Sequence, residues 1–246
     1  MNKVEPQCTY YTSRKRWLMW LFDRAAKRIR SAMVRRYGSL LADGVAAEAR
    51  QEYEALIPQL PFLGGAGNFD TVLIVAAAMF LAFYKPLKSR GTAVEEIGDV
   101  IYEAVEAFFS KIPRFLARLY GRLHFTRYAR RQAQKTALES QQGQYAGDWV
   151  FVFVEGDGDA FDWGQDFVEC GVVKFFRTQD AVDFAPHMCR LDFVFSDAFG
   201  WGLARTKTLA KGDETCDFRF KKRRDEFPRQ SQAGAGDAGS SGVRTR

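Results

Sequence analysis

The spacing of apolar residues changes once along this chain, near Gln141, and that change limits the fold more than any single motif. Before it, apolar residues recur three and four apart, the repeat of helices that bury one stripe. After it come short β-branched and aromatic segments suited to strands, Trp149-Val-Phe-Val-Phe-Val154 first among them. Helices first and a small sheet second predict an α+β fold: a helical N-terminal half packed on a small antiparallel sheet with helices in the C-terminal half.

In the helical region, 1–140, Trp17, Leu21, Ala25, Ile29 and Met33 recur every fourth residue on a basic helix ending near Tyr37-Gly38. A second helix runs from about Leu40 to Leu56 and stops at Ile57-Pro58. Pro61-Phe-Leu-Gly-Gly-Ala-Gly-Asn68 reads as a loop, with Asn68 as N-cap of the helix that follows. The glycine spacing there fails the dinucleotide fingerprint, and no strand precedes it, so a tight turn is expected. The longest apolar run, Val72 to Tyr84, has thirteen residues, too short to span a bilayer, and predicts a buried helix that Pro86 kinks or ends. Thr92-Ala-Val-Glu95 has the spelling of a capping box and opens a helix through Phe109. One more helical pattern spans Pro113 to Glu139.

Region 141–227 reads as strands at Trp149–Val154 and Asp166–Cys170, a short helix at Val172–Thr178, and a mostly helical stretch from Asp180 to Phe199. Two last strands, about Gly202–Leu209 and Thr215–Lys221, make a hairpin around the Lys211-Gly-Asp-Glu214 turn. The two regions are expected to form one integrated domain, and the Gly/Ser-rich tail, 228–246, to be disordered. Asp157-Gly-Asp159 resembles a calcium loop only superficially, because Phe161 stands where a ligand is needed.

With 47% hydrophobic residues in 246, the chain can bury a sizeable core. Its charge of +6 is clustered at 14–16, 27–36, 127–135 and 221–224, and solvated helix faces account for such runs. No zinc-finger spacing or RNP-type strand is present, so no nucleic-acid partner and no membrane partner are expected. A polar N-terminus without an export signal predicts a cytoplasmic protein with reduced thiols.

The last hairpin carries the candidate chemistry. Alternation in Cys216-Asp-Phe-Arg-Phe220 puts Cys216, Phe218 and Phe220 on one face and Asp217 and Arg219 on the other. Cys216, Cys189 and Cys170 stand among charged residues, and a thiol near Arg205, Lys207 or Arg219 would have its thiolate favoured. Cys189 precedes Asp192 by three residues, one helical face. A zinc quartet with His187 lacks any Cys-x-x-Cys pair, so no metal and no cofactor are expected. Cys8 reads as incidental, His124 as structural or exposed.

The pattern Cys189-x-x-Asp192, Arg205-Thr-Lys-Thr-Leu-Ala-x-Gly-Asp213 and Cys216-Asp-Phe-Arg-Phe220 resembles the L-2-amino-thiazoline-4-carboxylic acid hydrolase family. So do Leu60-Pro-Phe-Leu-Gly-Gly-x-x-Asn68, Tyr84-x-x-Leu87 and Gly91-x-x-x-Glu95-Glu-Ile-Gly98, and the likeness covers roughly 40 to 222. Cys170 falls where family members carry a cysteine after a strand, although Gly171 stands where they often have proline. The resemblance implies a hydrolase that opens a small cyclic amidine by attack at the amidine carbon. Cys216, Cys189 and Cys170 would then be the candidate nucleophiles, with Asp192 and Asp217 steering protons. Arg205, Thr206, Lys207, Arg219 and Asn68 would hold a small anionic substrate. Two rivals are a binding or sensing domain of vinyl-reductase-like type and a metal-dependent hydrolase with cysteine ligands.

Overall fold

The computed structural model describes residues 5–222, with side chains from Thr9 onward. The predicted tail, 228–246, and the side chain of Cys8 lie outside what is described. Helices α1 (Glu5–Thr12), α2 (Lys15–Tyr37), α3 (Ser39–Leu56), α4 (Phe69–Lys88) and α5 (Val94–Phe109) build the first layer. Between α2 and α3 the chain turns on one residue, Gly38, whose φ of 81° is open to glycine without a Cβ penalty. Phe22 of α2 stacks on Tyr53 of α3 at 4.7 Å and on Phe83 of α4 at 5.6 Å, which binds three helices through one aromatic column. Phe22 and Phe83 are buried, so truncating either to alanine costs about 3–5 kcal/mol.

The stripe on α2 differs from the expected one. Trp17 is 56% exposed, while Met33 is fully buried, and the inner face is Leu18, Met19, Phe22, Ile29, Ala32 and Met33. Four residues advance a helix by about 400°, so a strict fourth-residue line rotates away from the core over several turns. Helix α5 begins at Val94 with Ala93 at its cap and no side-chain capping bond, so the Thr92 capping box does not form. Glu95 and Glu96 still occupy its first turn, where the helix dipole favours them. Pro86 lies in the last turn of α4, and the helix continues through it to Lys88. Helix α4 is long and apolar enough to cross a membrane, but two-thirds of that window is buried inside the fold, as a core helix requires.

The single pattern expected from Pro113 to Glu139 is two helices, α6 (Arg114–Leu123) and α7 (Arg127–Ser140). The break comes at Thr126, whose hydroxyl accepts from the Ala129 amide as an N-cap.

Strands β1 (Val150–Glu155), β2 (Trp163–Glu169), β3 (Gly202–Ala204) and β4 (Cys216–Lys221) form an antiparallel sheet in the order β1-β2-β4-β3. Register puts Phe151, Phe167 and Cys216 in one row, and Phe153, Gln165 and Phe218 in the next, all on one face. The opposite face carries Val152, Asp166 and Asp217, then Val154, Gly164 and Arg219. The outward edge of β1 is bonded by Ser140 and Gln141 at the end of α7, both to the Phe151 backbone, which blunts an edge open to pairing. Strand β3 ends at Ala204, five residues short of the expected Leu209, because the chain turns off the sheet at Arg205.

Helices α8 (Gly171–Arg177), α9 (Ala185–Cys189) and α10 (Leu191–Phe199) lie between β2 and β3 in sequence. Phe176 of α8, Phe184 just before α9 and Ala185 of α9 are fully buried in the same apolar cluster as α2 to α5. A second cluster of Trp163, Trp201, Leu203 and Phe220 lies under the sheet, with His124 stacked on Trp201 at 4.5 Å.

Candidate active site

Chain breaks bring the candidate residues together. Cys170 follows β2 and is the cap residue of α8, Cys189 ends α9, Asp192 lies in the first turn of α10, and Cys216 opens β4. Arg205, just beyond β3, ties two of these pieces: one guanidinium nitrogen donates to an Asp192 oxygen at 2.5 Å and another to the Cys189 carbonyl at 2.9 Å. Its planar charge lies between the rings of Phe193 and Phe218, 5.3 and 5.0 Å from their centroids. The arginine side chain is 5% exposed and that of Asp192 34%, so the carboxylate is the open end of the pair.

The group is near enough to interact electrostatically. Cys189 feels Cys170, Cys216, Asp192 and Arg205, and Cys170 feels Cys216 and Asp192. Burial pushes the Cys170 thiol up to about 11, while the amides of Val172 and Val173 pull it down. Burial also raises Cys189 and Cys216, and Arg205 opposes both shifts. The favoured thiolate expected beside Arg205 is therefore outweighed by desolvation, and the resting thiols are protonated. Sγ of Cys216 accepts the Leu209 amide at 3.2 Å, and Cys216 is buried, whereas Cys170 and Cys189 keep some accessible surface. Burial likewise pushes the Asp192 carboxyl up, against the pull of Arg205, and Arg205 stays charged.

The other expected site residues lie apart from this cluster. Asp217 faces the opposite side of the sheet and accepts from the Thr206 amide, the Thr206 hydroxyl and the Lys207 amide, at 2.8, 2.5 and 2.5 Å. Partial burial raises Asp217, but those bonds hold it below the usual carboxylate range. Thr206 thus has both donors on Asp217, and Lys207 is exposed. Arg219 pairs with Asp166 at 2.6 Å on the same outer face and lies over Phe161. Asn68 caps α4: its oxygen accepts the Asp70 amide at 2.9 Å and its nitrogen donates to the Leu63 carbonyl at 2.7 Å. These bonds give Asp217, Thr206 and Asn68 structural work.

Neither histidine stands in a ligand set. His187 packs on Gly98, where a Cβ would lie 2.3 Å from its Nδ1, and His124 is partly buried among Trp163, Trp201 and Phe220. Among the described residues, no group of three or more His, Cys, Asp or Glu side chains is arranged to hold a metal ion. Sequence reasoning missed the pressure on Gly171, where a Cβ would come within 2.5 Å of the Gly147 carbonyl and the Trp149 ring. Proline at this position, common in the resembled family, has no room here, and the departure at Gly171 follows from Trp149. No local signal near Gly171 announces a neighbour more than twenty positions away.

Residues 73–220 match the family model described as L-2-amino-thiazoline-4-carboxylic acid hydrolase. The match contains Cys170, Cys189, Asp192, Arg205 and Cys216 and leaves out Asn68. No curated protein and no solved structure matches the chain.

Proposed function

Because the chain belongs to the L-2-amino-thiazoline-4-carboxylic acid hydrolase family, we propose that it opens a small cyclic amidine of the aminothiazoline carboxylate kind at the thiol cluster. The observation that carries this reading is the gathering of three thiols around one carboxylate–guanidinium pair. An amidine carbon is electrophilic, and a sulfur nucleophile suits it. The thiol sulfur adds to the carbon between ring sulfur and ring nitrogen, and its proton passes to the ring nitrogen. Collapse breaks the ring C–S bond, and the departing ring sulfur takes a proton to become a thiol. Water then adds to the enzyme-bound isothiourea, the enzyme thiol leaves with its proton, and an N-carbamoyl cysteine is released.

Protonated resting thiols need a base in the first step. Asp192 is suited to it: its carboxylate is partly open, burial raises its affinity for a proton, and Arg205 beside it opposes that rise. Cys170 and Cys189 rank ahead of Cys216, since they keep accessible surface and Cys216 is buried with an amide on its sulfur. Arg205 acts as a positioning residue for Asp192 and Cys189 rather than as a surface clamp.

Turnover and melting temperature of Cys170→Ser, Cys189→Ser and Cys216→Ser test the reading, with aminothiazoline carboxylate as substrate and mass spectrometry as readout. One variant should lose at least about a hundredfold in kcat with little change in melting temperature, as expected when a nucleophile is replaced by a near-isostere. Full turnover in all three would move the attack to a water activated at Asp192. Binding without turnover in the unaltered protein would favour a sensing domain instead.

A further inference from the structure

We propose that α6 and the start of α7 form a docking face for an anionic lipid surface, so that the chain rests on the headgroup region of a membrane without crossing it. The proposal goes beyond the small-molecule chemistry above and replaces the expectation of no membrane partner. Helix α6 is mounted back to front for a soluble helix. Its buried side is Ala117 and Gly121, and a Cβ on Gly121 would lie 2.1 Å from the Phe199 carbonyl oxygen of α10. Its large apolar side chains are exposed: Phe115, Leu116, Leu119 and Leu123 are between 47% and 70% exposed, and Tyr120, whose ring leans on Phe199 and Trp201, is 53% exposed. Single exposed apolar residues are ordinary, but five on one helix face are a contact surface.

What covers that face is decided by charge. Arg114, Arg118 and Arg122 run beside the apolar strip at four-residue spacing, all exposed, and none makes an ion pair with a described residue. From Ala107 to Leu138 the sequence holds eight Lys and Arg and no Asp or Glu. An apolar face edged by cations is the pattern of a helix lying in the membrane interface, with the rings among the acyl boundary and the guanidinium groups at the headgroup phosphates. Exposed Tyr128, between Arg127 and Arg131 on α7, adds an interfacial aromatic beside further cations. A symmetric second copy would set two arginine rows together with no carboxylate on either helix to meet them. A nucleic acid would satisfy the arginines and leave Phe115, Leu116, Leu119 and Leu123 uncovered.

Flotation of the full chain with vesicles tests this, using phosphatidylcholine alone and phosphatidylcholine mixed with phosphatidylglycerol, at low and high salt. The chain should float with the mixed vesicles, weakly or not at all with phosphatidylcholine, and less at high salt. Each arginine near an anionic surface contributes roughly fivefold in partition, so R114Q/R118Q/R122Q should lose about a hundredfold. F115S/L119S should also lose binding, and both variants should keep the melting temperature because the side chains replaced are exposed. Equal flotation with both lipids, or with neither, would overturn the proposal. So would a doubled solution mass abolished by F115S/L119S, or binding to RNA or duplex DNA that the arginine variant loses and the apolar variant keeps.

Discussion

The two faces of the sheet each hold an arginine–aspartate pair at nearly the same separation, 2.5 Å for Arg205–Asp192 and 2.6 Å for Arg219–Asp166, and they do different work. Arg205 is nearly sealed beside two rings and the thiols of Cys189 and Cys216, whereas the side chain of Arg219 is 25% exposed. In the first pair the guanidinium is the group that water cannot reach, so the charge of Arg205 depends on Asp192, although that carboxylate is as open as Asp166. In the open pair, solvent replaces whatever a mutation removes. The lesson is that distance alone does not rank ion pairs; what surrounds them does.

The largest expected effect comes from breaking the sealed pair. Arg205→Ala leaves Asp192 and the Cys189 carbonyl without their donor and opens the Phe193–Phe218 slot. A buried pair broken on one side costs about 3–5 kcal/mol, and the partly open Asp192 places this one near the lower end. Chemical denaturation should show that loss. Arg205→Lys should recover part of the stability but less of the turnover, because a point charge cannot bond the carboxylate and the carbonyl together. Unchanged kcat in Arg205→Lys would remove Arg205 from the account of the site.

The inner face should also respond to acid. His124 lies among Trp163, Trp201 and Phe220, and burial lowers it to about 4 from the usual 6.5. The unfolded chain therefore takes up this proton first as pH falls. The stability that neutral His124 contributes is complete above about 6.5 and is lost between there and about 4, to the extent of roughly 3 kcal/mol. Unfolding free energies of His124→Phe should be flatter than those of the unaltered protein over that window. Parallel curves would mean that His124 is solvated.

Much of this arrangement was legible in the residues. The change of period near Gln141 and the Asn68 cap followed from types and spacing, whereas the grouping of Cys170, Cys189 and Cys216 with Asp192 and Arg205 came with the family resemblance. The division between faces was half legible. Alternation put Asp217 and Arg219 opposite Cys216, yet the family resemblance made Asp217, Thr206 and Lys207 site residues together with Cys216. Where β3 leaves the sheet is set by the tertiary bonds of Arg205, which no local pattern encodes. The same holds for the direction of α6: its helical spelling was readable within one longer pattern, but the side that meets α10 is chosen by the close approach at Gly121.

A smaller effect should follow at Gly171, between the faces and beside Cys170. A Cβ there meets a carbonyl oxygen and an indole at 2.5 Å, and backbone cannot give way cheaply. Gly171→Ala should cost about 1–3 kcal/mol, the usual range for overpacking. Adding Trp149→Leu should return part of it, since the ring is half of the obstruction. If Gly171→Ala alone melts like the unaltered protein, the absence of proline after Cys170 needs a reason other than Trp149.

The smallest effect is the one that most sharpens the contrast. Arg219 and Asp166 stand on the outer face, with side chains 25% and 33% exposed, and water can take the place of either. Arg219 also lies over Phe161, a half-covered ring that it partly shields. Arg219→Gln and Asp166→Asn should each cost less than about 1 kcal/mol, and the double variant little more than one of them. Salt should diminish the difference, since partly exposed charges are screened. Turnover should stay within about twofold, because the pair is separated from the thiols by the thickness of the sheet. A large loss of kcat in Arg219→Gln with the fold intact would place the substrate on the outer face, beside Asp217 and Thr206. The inner cluster would then be the structural one, and the roles assigned to the two faces would exchange.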